Sequence, residues 1–287
     1  MSSSQVTQAQ TSELVPADQT ASKRLLDQHQ VEIDALGGSL LQAPIELSRS
    51  NLKILDSATA DGHWLQELRT QCTPQKNNKY IGIDLNPKFL PLSYPPDFEF
   101  YTHNIGEPWP ESEHSTFDLV HQRLSLPGAA PYPLSQAVHN IFQLVKPGGW
   151  IQLVEAEQIA PDSGPVFVEF LELVKDVFNA TGAGWEYAKN LKGWLEAEGA
   201  VDIGEISVDM CLGATNKEKS LIEKGASSTA GAMRGLVMHA KAMHLKTDLT
   251  DEQLDTLPDR LYAELLERGA HYPLRAVWGR KKRENEA

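Results

Sequence analysis

A series of polar side chains stands where apolar runs end, and their types limit the chemistry this chain can do. Asp56 closes Asn51–Asp56, Asp84 closes Tyr80–Asp84, and His103 and Asn104 follow Phe98–Tyr101. His121 closes Phe117–His121, and Glu155 follows Trp150–Val154. A strand-end carboxylate such as Asp84 can accept two hydrogen bonds from a ribose diol, as in dinucleotide folds. The turn Ser57–Gly62 carries Ala58, Ala60 and Gly62 at alternate positions, so a ligand can approach its backbone closely. Asn104 offers a donor and an acceptor to a purine edge. His121 and Glu155 are candidates for proton transfer, with His121 preferred. Gln122 and Arg123 are candidates to orient a ligand, and Arg123 equally fits a pair with a buried acid. Each residue also has a plain structural use. A strand-end Asp is often a turn or cap residue, and a small-residue turn is common. The ordered set is more specific than its members.

These residues need elements to hold them. Asn51–Asp56, Tyr80–Asp84, Phe98–Tyr101, Phe117–His121 and Trp150–Val154 read as five buried strands. Trp64, Leu65 and Leu68 form the apolar face of a helix between the first two. Pro133 opens a helix with Ala137, Val138, Ile141, Phe142 and Val145 on one side, and Lys146-Pro147-Gly148-Gly149 stops it. Val166 to Phe178 makes a second apolar stripe, and a further helix is expected over Trp185–Glu198. Val201–Met210 and Tyr272–Gly279 complete the strands. Strand and helix in alternation predict an α/β fold with a doubly wound, mostly parallel sheet.

Residues 1–22, rich in Ser, Gln and Thr, are expected to be a disordered arm, and 23–287 a single domain. Within that domain, 23–47 is expected as a helical cap, either packing on the sheet or covering a strand-end cleft, and 211–269 as a helical insertion. In the insertion Thr250 and Gln253 spell a capping box, and Pro258 is expected to restart a helix rather than lie inside one. The formal charge of −13 disfavours nucleic acid and anionic lipid as partners. No apolar run approaches the ~20 residues of a membrane helix, and the polar start lacks the shape of a signal peptide. Cys72 and Cys211 lie far apart, which fits a reducing cytoplasm. His114, His139, His239, His244 and His271 have no metal-ligand spacing, so no metal is expected.

Taken together, the series resembles a class I S-adenosylmethionine-dependent methyltransferase. The resemblance rests on Asp56-x-Ala58-x-Ala60-x-Gly62 after strand one, Asp84 after strand two and Lys-Pro-Gly-Gly before strand five. Thr59–Leu65, Pro108-Trp109-Pro110-Glu111, Phe117–Arg123 and Val145–Trp150 narrow it to fungal secondary-metabolism methyltransferases of the gliotoxin N-methyltransferase type, and more distantly to LaeA-like regulators. It runs from about residue 30 to 281. It implies a Rossmann-like seven-stranded sheet in the order 3-2-1-4-5-7-6 with the last strand antiparallel. It also implies cofactor contacts from Asp56, Ser57, Ala58, Ala60, Gly62, Trp64, Asp84, Leu85, Asn104, Ile105 and His121. Two family glycines are alanine here, so the backbone at Ala58 and Ala60 is expected to avoid positive φ. Asn104 stands where the family has an acid. Trp185 and Tyr187 fall where this fold usually supplies its acceptor pocket, and Met233 and Met238 are further substrate candidates; all four also suit core packing.

The implied activity is methyl transfer from S-adenosylmethionine to a nitrogen, oxygen or sulfur of a small metabolite, with S-adenosylhomocysteine as product. The alternative is a non-catalytic, LaeA-like protein acting through protein partners. A nicotinamide dehydrogenase is disfavoured, because its Gly-x-Gly-x-x-Gly turn is replaced by Ala-x-Ala-x-Gly. Composition and motif leave the oligomeric state open.

Overall fold

The computed structural model describes residues 14–16, 18–73, 77–160 and 162–286. Five strands, β1 (Lys53–Ser57), β2 (Lys79–Asp84), β3 (Phe98–Thr102), β4 (Phe117–Arg123) and β5 (Val145–Ala156), run parallel. β6 (Val201–Leu212) and β7 (Ala270–Arg280) complete one sheet in the order β3-β2-β1-β4-β5-β7-β6, with β7 antiparallel to both of its neighbours. This is the sheet the resemblance implied.

Alternation along each strand divides the core between the two faces. Ile54 and Leu119 pack with Trp64, Leu65 and Leu68 of α2 (His63–Gln71). Leu55, Val120, Ile151 and Leu153 pack on the other face with α3 (Leu134–Leu144) and α5 (Leu191–Ala197). A third cluster joins α4 (Pro165–Thr181), α6 (Lys219–Ala242) and α7 (Asp251–Glu267) to the end of the sheet at β6 and β7.

Several bounds differ from those expected. Helix α1 spans Gln19–Ala35, with the Asp18 carboxylate accepting from Thr20 and Ala21 N–H. That cap places residues 19–22 in the helix rather than in an arm. Residues 1–13 and 17 of the expected arm lie outside the described residues, while Val15 pairs with Ser93. After α1 the chain to residue 47 is irregular, not helical. It is tied to the sheet by buried Gln152, whose Oε1 accepts from Gln42 and Ala43 N–H and whose amide donates to the Leu40 carbonyl. β6 continues through Cys211 and Leu212, so the helical insertion proper begins at α6.

The segment expected as one helix over 185–198 is a 3₁₀ turn, Tyr187–Asn190, followed by the short α5. Lys146–Gly149 belongs to β5 through a register irregularity opposite Phe117–Leu119. A Cβ on Gly149 would sit 2.9 Å from the Phe117 carbonyl, so only glycine allows that approach. The Thr250–Gln253 capping box is present. Pro258, however, lies inside α7. Its ring is buried, and Thr256 Oγ1 and Arg260 donate to the Glu252 and Gln253 carbonyls of the preceding turn. Burial of the ring offsets part of the loss of the bond to the Leu254 carbonyl that proline removes.

Candidate functional site

The C-terminal ends of the parallel strands open into a cavity of about 770 Å³, a usual size for a small-ligand site. Asp56, Ala58, Ala60, Trp64, Asp84, Leu85, Asn104, Ile105, His121, Glu155 and Tyr187 all line it. Strand register makes this possible. Asp56 and His121 are direct neighbours across β1 and β4, and His121 lies beside Gln152 of β5.

The turn after β1 is held in an unusual shape. Ala58 has φ 57° and Ala60 φ 52°, both left-handed, against the expectation from their side chains. Hydrogen bonds to β2 compensate. Thr59 N–H donates to the Ile83 carbonyl at 2.7 Å, and Ala60 N–H donates to Asp84 Oδ2 at 3.0 Å. Gly62, φ 81°, then starts α2, and a Cβ there would meet the Phe100 ring. Gly62 and Ser57 shape this turn from outside the cavity wall. Left-handed alanine costs roughly 1–2 kcal/mol, and such strain persists where surrounding structure fixes it.

Asp84 has no cationic partner among the described residues. Its Oδ1 accepts from Asn86 N–H and its Oδ2 from Ala60 N–H, which leaves lone pairs on both oxygens. Burial pushes its carboxyl above the usual range, and those backbone donors pull it back down. Asn104 spends its Oδ1 on Gly106 N–H, so its amide group remains as a donor toward the cavity it lines.

His121 is almost fully buried. Its Nδ1 lies 2.7 Å from Asp56 Oδ1, and its ring stacks on Trp64 at 3.7 Å with planes 2° apart. An ionised Asp56 can only accept, so Nδ1 carries the proton and Nε2 keeps a lone pair. That Nε2 has no partner among the described residues. Burial pulls the imidazole below its ordinary value, and Asp56 opposes this. The result is a neutral imidazole with an oriented, unused acceptor.

Glu155 is different. Its Oε1 accepts from Gln122, Ser125 N–H and Leu126 N–H, and its Oε2 from the Tyr187 hydroxyl at 2.6 Å. Four donors commit it to organising the loop after β4 and orienting Tyr187, which works against its expected role as a base. Burial pushes its carboxyl up, opposed by those donors.

Three substrate candidates are placed elsewhere. Trp185 lies under Lys175, off the cavity wall. Met233 is fully buried between helices, and Met238 is 72% exposed, since steps of five put them on different faces of α6. Tyr187 alone of the four lines the cavity. The wall beyond Glu155 consists largely of Phe170, Val174, Phe178, Met210, Leu236 and Tyr272. Small residues of α6, among them Ser228, Gly231 and Gly235, leave room for it.

Helix α1 closes the cavity through Arg24, Gln28, His29 and Glu32, none of which was singled out in the sequence. Arg123 Nε pairs with Glu32 at 2.8 Å, and its Nη2 donates to His29 Nδ1 at 2.9 Å. His29 Nε2 therefore carries the proton and donates to Glu67 at 2.8 Å. No cluster of His, Cys, Asp and Glu with metal-holding geometry occurs among the described residues. No described helix is long and apolar enough to cross a membrane.

A family model described as a methyltransferase domain matches residues 28–200. Methyltransferase psoC of Aspergillus fumigatus is 35% identical over 250 residues, covering 86% of this chain and 89% of its own length. N-methyltransferase sirN of Leptosphaeria maculans is 37% identical over 229 residues, covering 77% and 78%. Among solved structures, a Haemonchus contortus phosphoethanolamine N-methyltransferase in complex with S-adenosylhomocysteine is similar in fold, with a TM-score of 0.51 at 11% identity, over 94% of this chain and 54% of that one.

Two outcomes follow from this geometry. Replacing Ala58 and Ala60 by glycine should raise stability in urea unfolding by about 1 kcal/mol per position, because glycine adopts the left-handed turn without strain; a lower urea midpoint would refute it. His29 is held down to about 3 by burial and by Arg123, so it stays neutral when folded. Unfolded chains bind its proton below about 6.5, so stability should fall with pH from there toward 3, by up to about 1.4 kcal/mol per pH unit. Glu32, pushed up by burial, opposes this by taking up a proton in the folded state. His29→Gln should therefore flatten the dependence of the urea midpoint on pH between neutrality and pH 5, and an unchanged slope would count against it.

Proposed function

Because the chain belongs to the methyltransferase domain family, we propose that it transfers a methyl group from S-adenosylmethionine to a nitrogen, oxygen or sulfur of a small secondary metabolite. The observation that carries this is the convergence of Asp84, the strained Ala58–Ala60 turn, Asn104 and His121 on one cavity at the strand ends. The lining also suits a cationic ligand, with carboxylates Glu32, Asp56, Asp61, Asp84 and Glu155 against the guanidiniums of Arg24 and Arg123. Asp84, with free lone pairs on both oxygens, would hold the ribose hydroxyls. The Asn104 amide would donate to the adenine, with Ile105 and Leu85 beside it. Asp56, Ala58 and Ala60 would receive the amino-acid end.

S-adenosylmethionine supplies, when bound, a methyl group on a positively charged sulfur that needs no further activation. The chain then has to orient the acceptor and remove a proton where the acceptor carries one. His121 Nε2 is the acceptor for that proton, and Asp56, bonded to Nδ1, stabilises the imidazolium that results. Trp64 holds the ring in place by stacking. Tyr187 and the apolar residues around it form the acceptor end, where charge is nearly absent apart from the committed Glu155. The N-methyltransferase name of the Leptosphaeria relative favours nitrogen. Free Cys72 and Cys211 support a cytoplasmic setting. A regulatory, non-catalytic role rests on the alanines of the turn and on Asn104; the alanines adopt the left-handed shape despite their side chains, and Asn104 lines the cavity.

Incubation with S-adenosylmethionine and fractionated metabolite extract should release S-adenosylhomocysteine, together with a small product gaining one methyl. Cofactor binding with no turnover on any fraction would instead favour the regulatory reading. Asp84→Asn should weaken S-adenosylhomocysteine binding by about 1–3 kcal/mol in calorimetry. His121→Asn should lower turnover about 100-fold while leaving that binding nearly intact. Loss of binding equal to the loss of turnover would make His121 a cofactor contact rather than a base.

A further inference from the structure

Among the described residues, Arg24 is the one guanidinium on the cavity wall in no ion pair. Arg24 and Arg123 are the only Lys or Arg side chains among the described residues that line the cavity. Arg123 is matched by Glu32 at 2.8 Å and also serves His29. Arg24 has a single neutral partner, the Gln28 amide oxygen, 2.9 Å from Nη1. A guanidinium carries five N–H donors, so most of its hydrogen-bonding capacity is uncommitted.

Its place is built rather than incidental. The Arg24 stem crosses α6 at Gly231, where an added Cβ would lie 2.6 Å from Arg24 Cδ. Burial lowers its proton affinity, while the nearby charges of Glu32 and Asp61 keep it cationic. Asp61 belongs to the turn after β1, so Arg24 stands at the turn end of the cavity. A half-buried cation held there, inside an otherwise acidic wall, calls for an anionic group on the ligand.

We propose that Arg24 binds the α-carboxylate of the amino-acid end of the methyl donor, an assignment that rests on the methyltransferase reading above. The ammonium at the same end then meets the carboxylates of the turn, and the two opposite charges of one ligand are sorted between α1 and β1. Arginine suits this task better than lysine, because its planar fork can bond both carboxylate oxygens. Arg24 lies on α1, just ahead of residues 28–200, the stretch that matches the family model.

The test compares two ligands by calorimetry: S-adenosylhomocysteine, and 5′-methylthioadenosine, which keeps the nucleoside thioether and lacks the amino-acid end. Wild type should bind S-adenosylhomocysteine more tightly. Arg24→Gln should weaken S-adenosylhomocysteine by about 10–100-fold, the loss of charge-assisted bonds, and leave 5′-methylthioadenosine unchanged. Gly231→Val, which displaces the Arg24 stem without touching its charge, should reduce the same preference. Arg24→Lys should recover part of it. Equal weakening of both ligands, or no change for S-adenosylhomocysteine, would overturn the role of Arg24 while leaving the methyltransferase reading intact. Wild type that binds neither ligand would overturn both.

Discussion

Two hydrogen bonds between the first two strands govern the site. Thr59 N–H to the Ile83 carbonyl and Ala60 N–H to Asp84 pin the turn after β1 against the end of β2. They hold two alanines in a conformation that alanine avoids, and they fix Asp84 in the same act. The turn and the acid are therefore one device. Each needs the other: the carboxylate is anchored by a backbone donor, and the donor is presented only because the turn is left-handed. From there α2 starts at Gly62, and Trp64 is brought onto His121.

A different principle closes the cavity. The residues of α1 buried in the fold are Ser22, Asp27, His29, Val31 and Glu32, a mostly polar set. The helix is docked by an ordered chain, Glu67–His29–Arg123–Glu32, alongside the apolar contacts of Val31 and Ile33. Such a network is specific in geometry and sensitive to protonation, because a buried polar group left unpaired is costly. Apolar burial is concentrated instead in the helices that wall the other half of the cavity, where Phe170, Val174 and Met210 belong to the cluster with α6 and α7. One cavity thus has a charged end and an apolar end.

The strand-end half of the cavity was largely legible in the sequence because it is local. Asp56, Asp84, Asn104 and His121 each sit at the end of a strand whose apolar run is readable, and parallel strands bring all such ends to one edge. The acceptor end was not. Trp185, Met233 and Met238 were chosen by type and region, and a step of five residues along α6 put Met233 in the core and Met238 at the surface. Glu155 has the right type and position for a base, yet four donors that converge from Gln122, Ser125, Leu126 and Tyr187 give it a structural task. Arg24 and His29 carried no motif, since their significance arises from contacts with α6, β4 and α2 far along the chain.

The sequence by itself determined the alternation of strands and helices, the seven-stranded order through its resemblance, the capping box at Thr250 and the polar strand ends. Apart from the strand order, which the resemblance implies, these follow from periodicity and local propensity, which act over a few residues. Only the tertiary structure decided the left-handed alanines, proline inside α7, the protonation pattern of His29 and His121, and which aromatic residues line the cavity. Those depend on partners distant in sequence, whose hydrogen bonds and packing override the preference of the residue itself.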